Sequence, residues 1–222
     1  MIKADIIAIS PHPDDVEIGC SGFILKAKKN GYKSKIVVVT NGQSGLYGEP
    51  DVRRKEAIQS SRILTEEDPI FLDEKDGFVE NNIILRKKIS NVIRMFKPQI
   101  VISPYIKDKH PDHIAVSSAV RNSIFSARSN IKELEDEVHD VPIHLEMIIN
   151  PLYYGLPEII LDISEVWNEK EKVLSIYTSQ KPIIDSYKNF EKILSHSFGL
   201  HHCEFLSVRK SILKNINSFF ER

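Results

Sequence analysis

Two short segments of this 222-residue chain concentrate groups that can do chemistry. One reads Ser10-Pro11-His12-Pro13-Asp14-Asp15-Val16-Glu17, the other Asp108-Lys109-His110-Pro111-Asp112-His113. Each carries four carboxylates or imidazoles. Two histidines and one carboxylate make a three-ligand zinc site whose fourth position is open to water. Zinc lowers the pKa of that water to about 7. The carboxylates and histidine left over would then serve as base and acid, a set suited to metal-assisted hydrolysis. Each residue alone has a plainer use. Asp14 or Asp15 could cap a following helix, and His110 and His113, at i and i+3, could be solvated. The chemical reading depends on the two segments meeting.

The elements around them predict that they do. Asp5 to Ser10 is an apolar run that stops at Pro11, and Ile100 to Ser103 is another that stops at Pro104. Such runs read as buried parallel strands. Between them come a helix over Gly22–Asn30, a strand over Lys35–Thr40, a helix over Val52–Leu64, a short strand over Pro69–Leu72 and an amphipathic helix over Ile83–Phe96. A helix over His113–Phe125 follows. This alternation predicts an α/β fold: a single Rossmann-like, doubly wound domain with a mostly parallel sheet flanked by helices. In the order 3-2-1-4-5, strands one and four are neighbours, and ligands bind at their carboxyl ends. That places a metal site at the carboxyl ends of strands 1 and 4. The domain is expected to span 1–222, with the Rossmann-like core in 1–126 and later strands and C-terminal helices in 127–222. These are strands over Ile143–Ile149 and Glu158–Leu161, a helix over Ser164–Tyr177, and a helical tail from Ile183 to Phe220 broken near Ser197-Phe198-Gly199.

Bulk properties narrow the function. Thirty basic and 31 acidic residues leave a net charge of −1. That balance argues against an electrostatic nucleic-acid binder, leaving room only for a local basic patch. No apolar run approaches the roughly 18 residues of a membrane span, and the N-terminus lacks a signal peptide's apolar stretch. A cytoplasmic location is expected. Cys20 and Cys203 form no metal or redox motif.

At the two histidine segments the chain resembles the zinc-dependent N-deacetylases of amino sugars. These are the N-acetylglucosaminyl-phosphatidylinositol de-N-acetylase family and bacterial relatives acting on mycothiol and bacillithiol precursors. The family's P-H-P-D-D motif matches Pro11 to Asp15, and its H-P-D-H motif matches His110 to His113. An arginine three residues before a glutamate matches Arg53 and Glu56. Weaker echoes lie at Asp162-Ile163-Ser164, at Ser179-Gln180 and at Cys203-Glu204.

The resemblance implies removal of an N-acetyl group from an N-acetylglucosamine-type sugar or glycoconjugate, releasing acetate and a free amine. By the same resemblance His12, Asp15 and His113 hold Zn2+, and such a donor set also accepts Fe2+ or Co2+. Asp14 is the general base, His110 stabilises the oxyanion or protonates the leaving amine, Asp112 orients His110, and Arg53 binds sugar hydroxyls. The partner implied is a small N-acetylated sugar, and relatives assemble as trimers or hexamers. Some relatives carry a tyrosine where this chain has Asp108, so a phenol-assisted oxyanion hole is not expected there. Two other classes fit part of the pattern: a non-haem Fe(II) enzyme with a 2-His-1-carboxylate site, and a catalytically degenerate metal- or sugar-binding relative. Asp14 has no obvious role in the first, and retention of Asp14 and His110 opposes the second.

Other features have plainer readings. The glycine-rich loop after Thr40 lacks a phosphate-loop lysine and is expected to be a flexible, substrate-facing lid. Tyr153, Tyr154 and Trp167 are expected to pack, with Tyr153 able to line the pocket. The acidic run 133–137 is a solvated face, His201 and His202 are surface or packing residues, and His139, His144 and His196 carry no motif.

Overall fold

The computed structural model describes residues 3–45, 47–149 and 157–211. Its strands are β1 (Ile6–Ser10), β2 (Ser34–Thr40), β3 (Ile70–Glu74), β4 (Ile100–Pro104), β5 (Ile143–Met147), β6 (Ile159–Asp162) and β7 (Cys203–Ser211). The helices are α1 (Asp15–Gly19), α2 (Ser21–Lys29), α3 (Pro50–Thr65), α4 (Ile83–Phe96), α5 (Pro111–Ala127), α6 (Trp167–Leu174) and α7 (Lys181–Ser197). The strands form one seven-stranded sheet in the order β3-β2-β1-β4-β5-β7-β6. The expected order 3-2-1-4-5 stands inside it. The first five strands run parallel, and β7 pairs antiparallel with both β5 and β6.

Strands β1, β2 and β4 are buried along their whole length because helices cover both faces. Side chains alternate between two cores, as period-2 geometry requires. Ile7 and Ile9 pack with α4 and α5 through Leu85, Ile93, Val116 and Val120. Ile6 and Ala8 pack with Ile24, Leu64 and Val173 on the α2, α3 and α6 side. The sheet therefore holds its strand ends rigidly, and the loops leaving β1 and β4 inherit that rigidity.

The C-terminal expectation requires correction. The expected helical tail ends with α7, and residues 203–211 form strand β7 instead. Leu206 and Val208 face the core under α2 and α6, and Glu204 lies on the same face of the strand, where it is fixed. Its carboxylate accepts the Gly22 and Phe23 N–H groups at the start of α2 and pairs with the fully buried Lys170 ammonium of α6. That long-range anchor has no local sequence signature. The stretch 212–220 of the expected tail lies outside the described residues. The helix expected over Ser164–Tyr177 is shorter: one 3-10 turn at Ser164–Val166 leads into α6. The polar excursion after α5 is clasped by the buried Arg94, whose guanidinium donates to the carbonyls of Ala127, Ser129, Leu134, Glu135 and Asp136. Among the described residues, no helix is long and apolar enough to cross a membrane.

Candidate active site

The two segments meet, as the strand order requires. β1 and β4 are hydrogen-bonded neighbours, and the turns leaving them converge on a cleft of about 410 Å³. The turn after β1 is pinned to its neighbour strand: the Thr40 N–H and hydroxyl both donate to the Pro11 carbonyl. The turn after β4 is pinned by capping. His110 is the N-cap of α5, its Nδ1 accepting the Asp112 N–H at 3.2 Å, with Pro111 in the first turn.

His12, Asp15 and His113 each offer one ligand atom within 4.8 Å of the others, and all three are buried. Asp15 stands between the imidazoles, 3.2 Å from His12 Nδ1 and 3.4 Å from His113 Nε2. The far nitrogen of each ring meets a different carboxylate. His12 Nε2 lies 3.0 Å from Asp76 and 3.2 Å from Asp112, and His113 Nδ1 lies 3.1 Å from Asp108. Outer carboxylates that hold one ring nitrogen and leave the other as a donor are the usual surroundings of metal-bound histidine.

Electrostatics point the same way. Burial pushes His113 towards neutrality, but Asp15 and then Asp108 more than offset it, so the imidazole stands at about 9. His12 is likewise raised well above its usual value: burial lowers it, but Asp15, Asp112 and Asp76 together more than offset that. Burial opposes ionisation of Asp15, yet His113 and His12 hold it well below the usual carboxylate range. The pocket thus favours positive charge between Asp15 and the two rings. With its two-nitrogen, one-oxygen donor set, it fits a divalent cation of the zinc, iron or cobalt kind.

Asp14 lies beside this trio and lines the same cleft. Its φ of 108° is a left-handed conformation that side chains avoid, and strain of this kind gathers at functional sites. Burial and the adjacent Asp15 raise its carboxyl to about 8, with Arg53 and His12 pulling the other way.

Arg53 stands in the cleft wall with most of its side chain covered. It is only 4% exposed. Its guanidinium donates to the Gly42 and Pro13 carbonyls and to Asp14 Oδ1 at 2.9, 2.8 and 3.3 Å. These three bonds tie Arg53 to Asp14 and the glycine loop, and the residue also lines the cleft. A Cβ at Gly42 would sit 2.2 Å from that guanidinium, at a φ of 66° as well, which explains the glycine. The glycine loop is also a tethered wall of the cleft. Ser44 donates to Asp76, and Gln180 Nε2 holds the Tyr47 carbonyl.

Asp112 differs from expectation. Its carboxylate does not touch the His110 ring; it accepts the Gly77 and Val79 N–H groups and lies against His12. Only its backbone N–H holds His110. Sitting at the second position of α5, the side chain turns back towards the 77–79 loop while the N–H faces the cap. His110 is therefore not kept charged by an aspartate partner: burial, then His113 and His12, lower its pKa.

Sequence reasoning missed Asp76, which bridges His12 and the Ser44 loop. It lies just past β3, at the same carboxyl edge of the sheet, with no motif to mark it. Asp108 was noted only for the phenol it lacks, yet it aims His113 and accepts the His110 N–H. The weaker echoes are structural ties. Glu56 accepts from Thr178 and Ser179, locking the Thr178–Gln180 turn onto α3. Asp162 accepts from Ser164. Trp167 stacks on His202 at 3.8 Å, a packing role as expected. Tyr153 and Tyr154 lie outside the described residues.

The fold and site together define a hydrolase-like α/β protein with a buried two-histidine, one-aspartate centre. The family model described as GlcNAc-PI de-N-acetylase (PIG-L) matches residues 7–124, and the chain belongs to that family. It is 29% identical over 188 residues to the diacetylchitobiose deacetylase of Thermococcus kodakarensis, covering 80% of this chain and 70% of the relative. The crystal structure of the conserved protein TT1542 from Thermus thermophilus superposes with a TM-score of 0.84 at 27% identity, over 99% of each chain. The 4-carboxy-2-hydroxymuconate hydratase GalB of Pseudomonas putida superposes at 0.82 with 20% identity, over 97% of this chain and 100% of that one. That likeness concerns the fold alone.

Proposed function

We propose that this chain is a divalent-metal-dependent deacetylase of an N-acetylglucosamine-type sugar or glycoconjugate, releasing acetate and a free amine. The observation that carries the reading is the junction of three features in one cleft. The His12–Asp15–His113 trio has an outer carboxylate on each ring. The strained Asp14 is held by Arg53. The His110 imidazole is lowered.

His12 Nδ1, an Asp15 oxygen and His113 Nε2 would hold the cation, zinc by resemblance to the family. When bound, it polarises an acyl carbonyl and lowers the pKa of water. Asp14 takes the proton from the attacking water. Burial and Asp15 make it a stronger base than a surface aspartate. The protonated Asp14 then returns that proton to the departing amine, so the amine leaves neutral. His110, with Nδ1 accepting from the Asp112 N–H, carries its proton on Nε2 and donates it as a hydrogen bond to the developing oxyanion. Arg53 keeps the Asp14 carboxylate aimed into the cleft. The wall carrying Tyr47, Gln180 and Ile183 faces the sugar. A single domain over residues 1–222 belongs to the same reading, supported by one sheet that runs unbroken from β3 to β6.

The test pairs metal analysis by mass spectrometry with acetate release from N,N'-diacetylchitobiose and other N-acetylglucosamine conjugates. About one zinc per chain and chelator-sensitive acetate release are expected. A chain that takes up no divalent metal, or that releases acetate at full rate after metal removal, would sink the proposal.

A further inference from the structure

A second cavity, of about 320 Å³, lies away from the catalytic cleft. It opens between the C-terminal half of α5, the beginning of β5 and the end of β7. His144 stands near the start of β5 and pairs with Lys210 in antiparallel register. The cavity is thus at the amino ends of the parallel strands, whereas the cleft is at their carboxyl ends.

Four cations line this second cavity: Arg121 from α5, Arg128 at the C-cap of that helix, and Arg209 and Lys210 from β7. Two are answered. Arg209 pairs with the buried Glu146 at 2.9 Å, and Lys210 pairs with Asp140. Arg121 and Arg128 have no ion pair among the described residues, and both are exposed. Arg128 lies over the ring of Phe125, itself 60% exposed. Among the described residues the cavity therefore carries two guanidinium charges without an ion pair, in a chain of net charge −1. The buried His144 reports the field: burial, then Arg209, Arg121 and Lys210, hold its imidazole down at about 4.

We propose that this cavity binds a small phosphorylated ligand, with Arg121 and Arg128 as its phosphate ligands. Two planar guanidinium forks match the several oxygens of a phosphate dianion, and their two charges match its valence. The volume lies at the small end of the range in which small molecules bind. Two such cations are too few for the multi-phosphate contacts of a nucleic acid. The inference is independent of the deacetylase reading, since no residue is shared with the catalytic cleft.

The experiment is isothermal titration of the full chain, at fixed ionic strength, with inorganic phosphate, glucose 6-phosphate and malonate. Saturable binding of phosphate or of the ester is expected, and the better of the two identifies the source. The Arg121→Ala/Arg128→Ala double variant should bind about tenfold or more weakly, since it loses two charge-assisted contacts. Both side chains are exposed, so the variant should fold; an unchanged thermal midpoint checks this. His113→Ala should bind phosphate as the parent does. Malonate bound as tightly as phosphate, binding unchanged in the double variant, or binding lost in His113→Ala would each overturn the proposal. So would the lack of any saturable binding.

Discussion

Asp108 offers the sharpest test of the metal centre, because it touches a proposed ligand without being one. Its carboxylate holds His113 Nδ1 at 3.1 Å and accepts the His110 N–H at 2.8 Å. The His113 and Asp108 side chains are 10% and 9% exposed, so solvent screens the pair little. A hydrogen bond to a charged group is worth about 1.5–3 kcal/mol, or roughly 10- to 150-fold in an equilibrium constant. That agrees with the 10–100-fold loss of metal affinity typical when an outer carboxylate is removed. Asp108→Ala should therefore raise the zinc Kd by about that factor, measured by competition with a chromophoric chelator. Asp108→Asn should do no better. If its oxygen keeps the His110 N–H, its amide faces His113 Nδ1 and favours the tautomer with the proton on Nε2, where metal must bind. The sign of the pH effect is a second check. Asp108 also favours the protonated imidazole that metal displaces, since it helps hold His113 at about 9. Its removal is thus partly offset at pH 7, and the deficit should widen at pH 9.5. A Kd within threefold of the parent at both pH values would refute the reasoning.

Three further outcomes are expected. Asp14→Asn should keep the metal but lose turnover by about 10²–10⁴-fold, the span attributed to a general base; a variant with near-parental acetate release would remove Asp14 from that role. Arg53→Ala strands a buried carboxylate, so it should lower kcat more than it raises KM and destabilise the fold by about 3–5 kcal/mol in urea titration. A pure KM effect would make Arg53 a sugar ligand instead. His144 is held at about 4 in the fold against about 6.5 when unfolded. The unfolded chain binds the extra proton between those values, so stability is full above about pH 6.5 and falls by about 3 kcal/mol on the way to pH 4. His144→Gln, which can still bond Ser103, should flatten that part of the parent's curve, and an identical curve in parent and variant would argue against it.

The parts legible in the sequence were those fixed by local pattern. Apolar runs ending at proline marked β1 and β4, and the 3.6-residue spacing from Ile83 to Phe96 gave α4 with its bounds. Adjacency of β1 and β4 then placed His12 and His113 together. What escaped notice depends on partners distant in sequence. Strand β7 is held by Lys170 and the start of α2 through Glu204, so the apolar spacing after α7 read as more helix. Asp76 lies in a loop whose relevance arises only when β3, two strands from β1, brings that loop over His12. The placing of the Asp112 carboxylate escaped for a related reason. A residue type states which bonds a side chain can make, while burial decides which partners reach it first.

The same distinction bears on what chemistry the site can perform. A sheet of this order supports a hydratase as well as deacetylases, so the scaffold leaves the reaction open. A three-ligand centre of two imidazoles and a carboxylate also leaves it open, since that set serves hydrolysis and oxygen chemistry alike. The residues that discriminate are the ones a bare metal centre would not need. Asp14 has its backbone in a left-handed conformation, next to the proposed ligand Asp15 and tied to Arg53. Structural stability alone would favour a glycine or asparagine there. An ionisable carboxylate kept at a strained position, facing the cleft, gives up stability for a proton acceptor at a fixed place. Hydrolysis of an amide needs that acceptor, because the attacking water must lose a proton and the amine must gain one. Arg53, with three of its bonds on protein and one of them on Asp14, supports that acceptor. On this argument the Asp14–Arg53 pair, more than the metal trio, distinguishes a deacetylase from other occupants of the fold.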